Sequence, residues 1–465
     1  MPQTVPSAGA PSGASTDAPD GRRLGLVLGA LVLPMFVALG APSVALPEIG
    51  RALGVPFGAT AWILTAWSLT SALAMPIAGR LIGRWSAFRV LVAGVIALAA
   101  GSAVAAVGPT LPIVIVGRLI GGVGAGATVI AVFAAAAALP GRERLRALGM
   151  IAAASGTASA CGTLLGGAVT TWLGWRAVLA VPVLALPLLA LPLLLTASAG
   201  RRTFPPTGRD RSSGRFDVLG AAVLSVLAGS LITLLQAHSV GLPGPVTLAV
   251  GAAGVIAAVG LWRRVRHTPD GFVPHRLITT RGFMAAGFVG ASVFAGYYGV
   301  LFIAPSLIEH ATGGGALEAG ALLVPAAACS VLAGRLVGWA GRFAGWQVLA
   351  GLAALTVVGV LVVAVLTGPI PVVVGTALTV CGFAGAQAVL AGLAPELVAA
   401  QDADAAQGLL NFMIFLGGGI GPASVAGLSG IVPVPVALAV LAALPLAGLV
   451  LTLARRPGAR HRDDS

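Results

Sequence analysis

The sequence predicts an all-helical (all-α) membrane protein with fourteen transmembrane helices, arranged as two equivalent six-helix halves and a two-helix central insert. Its 465 residues are 58% hydrophobic and only 9% charged, and the mean hydropathy is +1.01. Soluble domains contain fewer hydrophobic and more charged residues than this. Apolar runs of about 20 residues, the length that crosses the hydrocarbon layer of a bilayer, follow one another along the chain. Two short motifs also recur, which divides the chain into halves.

The repeated motifs keep one register. Residues 78–83 (AGRLIG) recur 255 residues later at 333–338 (AGRLVG), and residues 162–167 (GTLLGG) align with 417–422 (GGGIGP) at the same offset. Agreement between two separate landmarks indicates an internal duplication. In a membrane bundle, duplication is typical of a transporter whose halves rock about a central site.

The apolar runs give the helices in order. The fourteen predicted spans lie near residues 24–46, 60–79, 89–108, 111–133, 147–169, 177–196, 217–237, 244–262, 281–304, 316–338, 345–366, 371–393, 405–428 and 433–454. The seventh and eighth have no counterpart in the duplication, so they form the insert.

Around these helices the chain divides into five segments. Residues 1–21 are rich in Pro, Gly, Ala and Ser, which predicts a disordered cytoplasmic tail. Residues 22–200 form the first half, 201–280 the basic linkers and the insert, 281–454 the second half, and 455–465 a second cytoplasmic tail.

The arginines predict the orientation. All 27 basic residues are Arg, of which 24 lie in predicted cytoplasmic segments; Arg51 and Arg176 lie in predicted outer loops, and Arg118 lies inside a span. Because cytoplasmic loops carry an excess of basic residues, we expect a multi-pass protein of the bacterial inner (plasma) membrane with both termini in the cytoplasm. The net charge of +13 lies between the spans, as topology requires, and we expect no nucleic-acid partner.

Composition argues against several kinds of site. Cys161, Cys329 and Cys381 are isolated in apolar runs, which predicts packing roles and no disulfide framework or metal site. The five His residues fall in predicted loops or the tail, and the Gly-rich runs have no P-loop Lys. We therefore expect no enzymatic activity and no cofactor, and a monomer that handles a small-molecule substrate within the lipid bilayer.

The first repeated motif predicts a gating loop on the cytoplasmic side. Gly residues there allow a tight turn, and Arg side chains can bond carbonyls at helix ends or lipid phosphates. The residues concerned are Gly79, Arg80, Gly83, Arg84 and Arg89, with Gly334 and Arg335 in the second copy. The alternative is that these arginines only fix topology; the duplication favours gating.

Arg118 is the candidate charge of the central cavity, where it would serve binding or coupling. It lies about 10 Å from the outer end of its predicted helix, and an Arg at such depth normally faces a partner or an aqueous cavity. The alternative is a structural Arg whose head group reaches the interface. Candidate substrate-cavity residues are the polar and aromatic side chains within spans: Trp67, Ser71, Tyr297, Gln387 and Asn411. Aromatic residues near span ends can instead belong to an interfacial belt.

The second repeated motif predicts close helix packing, because small residues let backbones approach. Its members are Gly162, Gly166 and Gly167 in the first half and Gly417, Gly421 and Pro422 in the second.

From about residue 24 to 455 the chain resembles transporters of the major facilitator superfamily, of the fourteen-helix drug:proton antiporter type. The resemblance rests on residues 79–81 with Arg84 and Arg89, Arg118 with Gly122 and Gly124, Gly162 with Gly166 and Gly167, Trp175 with Arg176, and Phe216 and Asp217 with Gly220. It implies a major facilitator fold, proton-coupled efflux of drug-like or antibiotic compounds by alternating access, and a hinge formed by the two small-residue motifs.

The sequence departs from the family pattern at four places. Gly83 and Ala38 stand where the loop and the first helix commonly carry Asp, Thr163 stands for the Pro of the helix-five motif, and Gly121 stands for a Gln after the helix-four Arg. A solute uptake carrier, which would need more polar groups in its spans, and a non-transporting sensor or scaffold remain alternatives.

The sequence lacks the usual residue for coupling transport to a proton gradient, an acidic side chain inside a span. All 14 acidic residues fall in predicted loops, tails or helix ends, whereas proton carriers normally lie within spans. If a proton gradient drives transport, the carrier must be an end residue such as Glu48 or Asp217, or the substrate itself carries the charge. We expect Arg118 to be essential and Glu48 to be dispensable.

Overall fold

A computed structural model describes residues 21–139, 141–189, 217–268, 271–326, 328–330, 333, 345–399 and 402–454. The predictions for the two tails, the basic linker and the second gating copy, Gly334 and Arg335, fall outside these residues. All regular structure within them is helical.

Seven helices have defined bounds in the described part of the first half, and residues 185–189 are also helical. The seven are α1 (Gly21–Leu53), the short α2 (Phe57–Thr60), α3 (Trp62–Arg84), α4 (Ala87–Val107), α5 (Leu111–Ala137), α6 (Gly141–Leu173) and α7 (Trp175–Ala180), the last followed by a 3₁₀ turn at Val181–Leu184.

Nine further helices have defined bounds in the described residues, and residues 324–326 and 328–330 are also helical. The nine are α8 (Val218–Leu235), α9 (Gly244–His267), α10 (His275–Thr279), α11 (Arg281–Thr312), α12 (Ala316–Leu322), α13 (Gly345–Val365), α14 (Pro369–Glu396), α15 (Ala403–Ser429) and α16 (Val434–Leu453).

The all-helical membrane class predicted from composition is confirmed. Eleven helices of the described residues are long and apolar enough to cross a bilayer, and three shorter apolar segments, Cys161–Leu173, Trp175–Leu189 and Ala316–Ser330, overlap parts of the remaining predicted spans. The count of fourteen and the six–two–six arrangement stay predictions.

The first predicted helix boundary was wrong. We expected the helix to end near residue 46, with Glu48 in a loop, but α1 continues through Pro34, Pro42 and Pro47 to Leu53. A bundle tolerates Pro inside a helix because neighbouring groups satisfy the freed backbone. Similarly, α11 extends beyond residue 304, which places Glu309 and His310 in its last turns.

The helices of each half pack closely. In the first half α1 packs on α6, and α5 lies between α3 and α4; in the second half α11 packs on α14 and α15, and α13 packs on α14 and α16. The halves meet mainly where α3 packs on α15 and α6 packs on α12, with smaller contacts of α1 with α11 and α12 and of α2 with α15. A substrate site between the halves is therefore bounded by these helices.

The insert is attached through its first helix. α8 contacts both α3 and α15, whereas α9 packs mainly on α8 and is largely exposed. At the C-terminal end of α8, the buried Gln236 donates from Nε2 to Thr65 Oγ1 at 2.9 Å. The insert thus touches both halves where they meet.

The two ends of the bundle differ in charge. We call the end where α3 and α9 finish and α4 and α8 begin the arginine end, because Arg80, Arg84, Arg89 and Arg264 lie there. At the opposite end, Phe57 of α2 stacks on Phe302 of α11 with ring centroids 4.9 Å apart, which joins the two halves.

Candidate functional site

Glycines of α5 bring the central arginine into the core. A Cβ at Gly122 would lie 2.6 Å from the Trp67 carbonyl oxygen on α3, and one at Gly124 would lie 2.7 Å from the Cα of Leu98 on α4. Only glycine allows such approaches on both sides of one helix. α5 is therefore wedged between α3 and α4, and Arg118 is held about two turns inside it.

The Arg118 side chain is 1% exposed and is held by three groups. Its Nε donates to the Ile63 carbonyl at 2.8 Å, its Nη2 donates to the Ala38 carbonyl at 3.2 Å, and its Cζ lies 4.0 Å from the centroid of the Trp67 ring. These contacts join α5 to α1 and α3. Among the described residues no carboxylate pairs with Arg118, and a backbone carbonyl at Ala38 occupies the place where the resemblance leads us to expect Asp.

Two of the predicted cavity residues, Trp67 and Ser71, take part in the contact between α3 and α5 around Arg118. Trp67, which is 1% exposed, covers the guanidinium, and Ser71 Oγ donates to the Gly122 carbonyl at 3.0 Å. Both side chains are occupied by contacts between α3 and α5. In this conformation they present no open surface to a substrate.

Tyr297 belongs to a separate aromatic cluster in the second half. Phe383 on α14 lies at its centre, with ring centroids 4.5 Å from Phe294, 4.5 Å from Tyr297 and 5.8 Å from Tyr298. Phe415 joins it at 6.1 Å from Phe294. All five rings are buried, and aromatic pairs at these distances stabilise one another.

A small cavity lies beside this cluster, between the halves. Its volume is about 20 Å³, and its lining consists of Thr163 of α6 with Tyr297, Leu301, Leu323, Ser330, Thr376, Val380 and Phe383 of the second half. The Thr163 hydroxyl is buried and has no hydrogen-bond partner. The described residues also supply no partner for the Tyr297 hydroxyl. The cavity therefore offers unused hydroxyl groups against an aromatic wall.

Sequence reasoning missed Thr163 as a site residue. It identified the position only as a departure from the helix-five motif, because a lone Thr in an apolar run gives no signal of its neighbours. The cavity adds Thr163, Thr376 and Phe383 to the predicted Tyr297.

The last two predicted cavity residues lie apart. Gln387 on α14 is exposed, and Asn411 accepts a hydrogen bond from Gln407 Nε2 at 3.4 Å, one turn away on α15. No hydrogen bond or ring contact in the described residues joins either one to Arg118 or Tyr297. The five predicted cavity residues thus fall in several places instead of one.

A larger apolar groove of about 430 Å³ opens on the side of the first half. It runs between α3, α4 and α5, with Ser225 of α8 at its edge. The hydroxyls of Thr70 and Ser225 in its lining each bond a carbonyl of their own helix, at 2.9 and 2.8 Å. It contains none of the predicted substrate residues, and its lining suits hydrocarbon.

At the arginine end, Arg80 of the predicted gating loop reaches across to the insert. Its Nη2 donates to the carbonyls of Gly271 at 2.6 Å and Phe272 at 3.2 Å, and its Cζ lies 5.3 Å from the Phe272 ring centroid. Gly271 and Phe272 follow α9 directly. The end of α3 is therefore fastened to the segment that leads from the insert into the second half.

Asp217 organises that segment. As the N-cap of α8 it accepts from Gly220 N at 2.8 Å; it also accepts from Phe272 N at 3.0 Å and from Arg264 of α9, whose Nη2 lies 2.8 Å away. We call Arg80, Asp217, Arg264, Gly271 and Phe272 the insert junction. Sequence reasoning noted Asp217 only as a family-like detail and a possible proton carrier; an Asp directly before an apolar run is also an N-cap signal.

The ionisation of Asp217 follows from these contacts. Burial raises the pKa of its carboxyl. The hydrogen bonds from Arg264, Phe272 and Gly220, together with the charge of Arg264, lower this pKa by more than burial raises it, so the pKa lies below its ordinary value. Asp217 therefore remains an anion at neutral pH, which disfavours the proton-carrier hypothesis.

The other predicted loop residues lie at the surface. Gly79, Gly83, Arg84 and Arg89 are exposed at the arginine end. The Arg89 backbone N–H donates to Ser86 Oγ at 3.3 Å, which caps α4. Arg80 connects this loop to the insert through its long-range hydrogen bonds.

The predicted hinge residues each pack within their own half, with one exception. A Cβ at Gly166 would lie 2.8 Å from Ala41 Cα on α1, and one at Gly417 would lie 2.6 Å from Ala291 Cα on α11. Gly162 also faces α1, Gly421 also faces α11, and Pro422 lies inside α15. Gly167 alone reaches the other half, where Ala316 and Leu317 of α12 lie against it.

Glu48, the other acid considered for coupling, lies at the opposite end. One of its carboxylate oxygens accepts from the Trp175 backbone N–H at 3.4 Å, at the start of α7. Its neighbourhood includes Arg51 and Glu309, which interact electrostatically. Among the described residues, every acidic side chain of known placement lies near a helix end.

Comparison with known proteins gives a family match over most of the chain. The family model described as Major Facilitator Superfamily matches residues 26–422. The chain is 27% identical over 350 residues to the methylenomycin A resistance protein of Bacillus subtilis (strain 168), covering 74% of this chain and 72% of that protein. It is 28% identical over 313 residues to the puromycin resistance protein pur8 of Streptomyces alboniger, covering 63% and 60%.

Solved structures of low identity share the architecture. An autoinhibited peptide transporter of the POT family aligns with a TM-score of 0.64 at 14% identity, over 95% of this chain and 98% of that one. The POT family transporter PepTSo aligns with the same TM-score at 13% identity, over 93% and 97%. At such identities the likeness concerns the fold alone.

Proposed function

This chain belongs to the major facilitator superfamily, and from that premise we propose that it exports amphipathic, drug-like or antibiotic compounds by alternating access. Membership makes it a multi-pass membrane transporter of a small-molecule substrate, not an enzyme. The direction of transport is supported by the relatives that are named as resistance proteins for methylenomycin A and puromycin. Resistance by a transporter means removal of the toxic compound from the cell.

The observation that carries the proposal is the cavity between the halves. It combines a wall formed by Tyr297 and Phe383 with hydroxyl groups of Thr163 and Thr376, and none of the described residues that line it is charged. Small-molecule sites are mostly apolar, with a few polar groups that fix orientation. At about 20 Å³ the cavity holds roughly one water molecule, so a substrate requires the halves to separate there.

The insert junction would serve as the gate at the arginine end. Arg80 and Asp217 hold the end of α3, the start of α8 and the segment before α11 together through backbone and charged hydrogen bonds. Opening this end would separate those groups, and closing it would restore them. In this proposal the acid that the loop lacks at Gly83 is supplied by the insert, and the Gly167 contact with α12 serves as one pivot between the halves.

For the membrane arrangement we propose the six–two–six organisation with fourteen spans, as a monomer in the bacterial inner membrane. The arginine end would face the cytoplasm, together with both termini. This rests on the 24 Arg residues in predicted cytoplasmic segments against two in outer loops, because positive charge is retained on the cytoplasmic side.

Coupling to a proton gradient is what the family resemblance implies. Within this chain it would have to use carboxylates at the opposite end, such as Glu48 and Glu309, because Asp217 is held as an anion. No other cofactor is required by the proposal.

The test is expression in a bacterial host from which the main efflux pumps have been deleted. We expect lower susceptibility and lower accumulation for a subset of a panel of antibiotics and dyes, and an Arg118→Ala variant of equal abundance should lose the effect. Increased accumulation of any compound would indicate uptake instead. No change for every compound in both assays would favour a sensor or scaffold.

A further inference from the structure

The central part of the described spans carries the positive charge of Arg118, and the acidic side chains of known placement lie toward the helix ends. The 14 acidic residues are Asp17, Asp20, Glu48, Glu143, Asp210, Asp217, Asp270, Glu309, Glu318, Glu396, Asp402, Asp404, Asp463 and Asp464. None lies near the middle of a predicted span, whereas Arg118 is buried about two turns inside α5. In the described residues Glu48 and Glu309 lie within α1 and α11 but toward their last turns. The central part of the described spans therefore offers no carboxylate to a cationic compound.

The charge of Arg118 is held but not neutralised. Two backbone carbonyls and the face of Trp67 surround it, and no carboxylate approaches it in the described residues. Arg stays protonated in proteins. Carbonyl dipoles and an aromatic face lower the cost of burying the cation, but they leave a net positive charge whose field extends into the surrounding low-dielectric region.

The cavity between the halves lies within reach of that field. The Ala38 carbonyl that binds Arg118 belongs to the same turn of α1 that packs against Gly162 and Gly166 of α6. Thr163, between those two glycines, lines the cavity. α1 therefore lies between Arg118 and the helix that lines the cavity, and the axes of packed helices lie about 8–10 Å apart.

The polar groups of the cavity also favour a negative ligand. The hydroxyls of Thr163 and Tyr297 have no acceptor within the described residues, so both can donate. A hydrogen bond between a hydroxyl and an ionised acceptor is roughly twice as strong as one between neutral groups.

We propose, on the basis of the export function above, that the substrate is an aromatic compound with a single negative charge, such as a carboxylate, and that the membrane potential drives its export. Each cycle moves one negative charge outward and exchanges no proton. The loaded site, with Arg118 and one anion, is neutral, while the empty site is positive. An inside-negative potential therefore expels the anion and draws the empty site back toward the cytoplasmic side.

The potential is a sufficient driving force. A potential of about 100 mV supports an outward concentration ratio of about fiftyfold for a monoanion. This removes the need for a titrating carboxylate within a span. A lipophilic cation would have to be exported against the same potential, which requires a counter-ion site that the spans do not contain.

The first test measures charge selectivity of binding. Equilibrium dialysis of the purified protein is carried out with 2-naphthoate, 1-naphthoate and indole-3-acetate, with their neutral primary amides, and with ethidium. We expect at least one carboxylate to bind about tenfold or more tightly than its amide, and ethidium not to compete. If every amide binds as tightly as its carboxylate, if no carboxylate binds, or if ethidium competes, the proposal is wrong.

The second test assigns the preference to Arg118. A unit charge about 10 Å away, at an effective dielectric constant of about 20, changes anion binding by about fifteenfold. Arg118→Gln should weaken carboxylate binding by that factor without changing amide binding, and Arg118→Lys should retain most of the preference. Arg176→Gln is the matched control, because Arg176 also stacks on a Trp ring, that of Trp175 at 4.3 Å, but outside the spans. Equal loss in the control would contradict the assignment. If Arg118→Gln does not fold, the preference of the wild-type protein for carboxylates over amides decides whether the proposal stands.

The third test concerns the driving force. Proteoliposomes loaded with the carboxylate that binds best are given either a potassium diffusion potential with valinomycin or a pH gradient. An inside-negative potential should accelerate efflux without a pH gradient. Dependence on the pH gradient alone would overturn the proposal. Export of ethidium would overturn it while the export function stands, and absence of transport for every compound would remove both.

Discussion

The insert junction leads to a quantitative prediction for Asp217. The change Asp217→Asn removes the charge that faces Arg264 at 2.8 Å. It also leaves one acceptor oxygen where the Gly220 and Phe272 N–H groups now bond to different carboxylate oxygens, so one of these two hydrogen bonds is lost as well. Charged hydrogen bonds contribute about 1.5–3 kcal/mol. Because 34% of the Arg264 side chain is exposed, solvent screening reduces this, and we expect a loss of about 1–2 kcal/mol. Arg264→Gln should cost a similar amount.

Thermal unfolding of the purified protein and a transport assay test this prediction together. The two single variants should lower the unfolding temperature and transport, and the double variant should be no worse than either one, since both remove the same interaction. The control is Arg146→Gln, which breaks the exposed Glu143–Arg146 pair at 2.6 Å and should change neither. Additive effects of the two junction variants would refute the reasoning.

The pH dependence of the junction has a definite sign. The pKa of Asp217 lies below its ordinary value in the folded protein. The stabilisation is therefore present above the pKa of the unfolded chain, about 4, and is lost as the pH falls through the lower folded value. The unfolding temperature should show no pH dependence from this group between pH 5 and 8, where its stabilisation is constant, and Asp217→Asn should flatten the loss seen below pH 4.

Three further outcomes are expected. Gly122→Leu should abolish transport and destabilise the protein by more than about 1–3 kcal/mol, because a side chain there meets the backbone of α3; Gly229→Leu, with open space around it, should be tolerated in unfolding and transport assays. Glu48→Gln should leave transport largely intact, since Gln keeps an acceptor oxygen, and collapse of transport would show that Glu48 titrates. Reporter fusions after Leu242 and Arg209 should lie outside and inside the cell, and the reverse at both sites would contradict the topology.

Sequence periodicity was informative where one physical requirement dominates. Span length is set by bilayer thickness, so apolar runs gave helix positions to within several residues. The small residues of the second repeated motif predicted close helix packing, and Gly166 and Gly417 lie directly against Ala41 of α1 and Ala291 of α11.

Contacts between distant segments were not predictable in the same way. A helix that is apolar on all faces has no periodic signal for its rotation, so nothing indicated that Ser71 would bond the Gly122 carbonyl instead of facing a cavity. The partners of Arg80 lie about 190 residues away and are backbone carbonyls, which any sequence could supply. Thr163 was equally unpredictable, because it stands out only by having a buried hydroxyl without a hydrogen-bond partner, which the sequence does not reveal.

Ala38 stands where the family commonly has Asp, so restoring an acid at this position tests whether the unneutralised charge of Arg118 selects the substrate. The Ala38 carbonyl already lies 3.2 Å from Arg118 Nη2, so Ala38→Asp would place a carboxylate beside an unneutralised guanidinium, where opposite charges attract strongly. The pair would cancel the field at the cavity and give the spans their first interior titratable acid. We expect the preference for naphthoate over naphthamide to fall by about fifteenfold, as in Arg118→Gln, and transport to become dependent on pH. Ala38→Asn, of equal volume and without charge, should retain the carboxylate preference. If Asp and Asn at this position behave alike in the dialysis assay, the field of Arg118 does not select the substrate, and the inference of an anionic substrate fails with it.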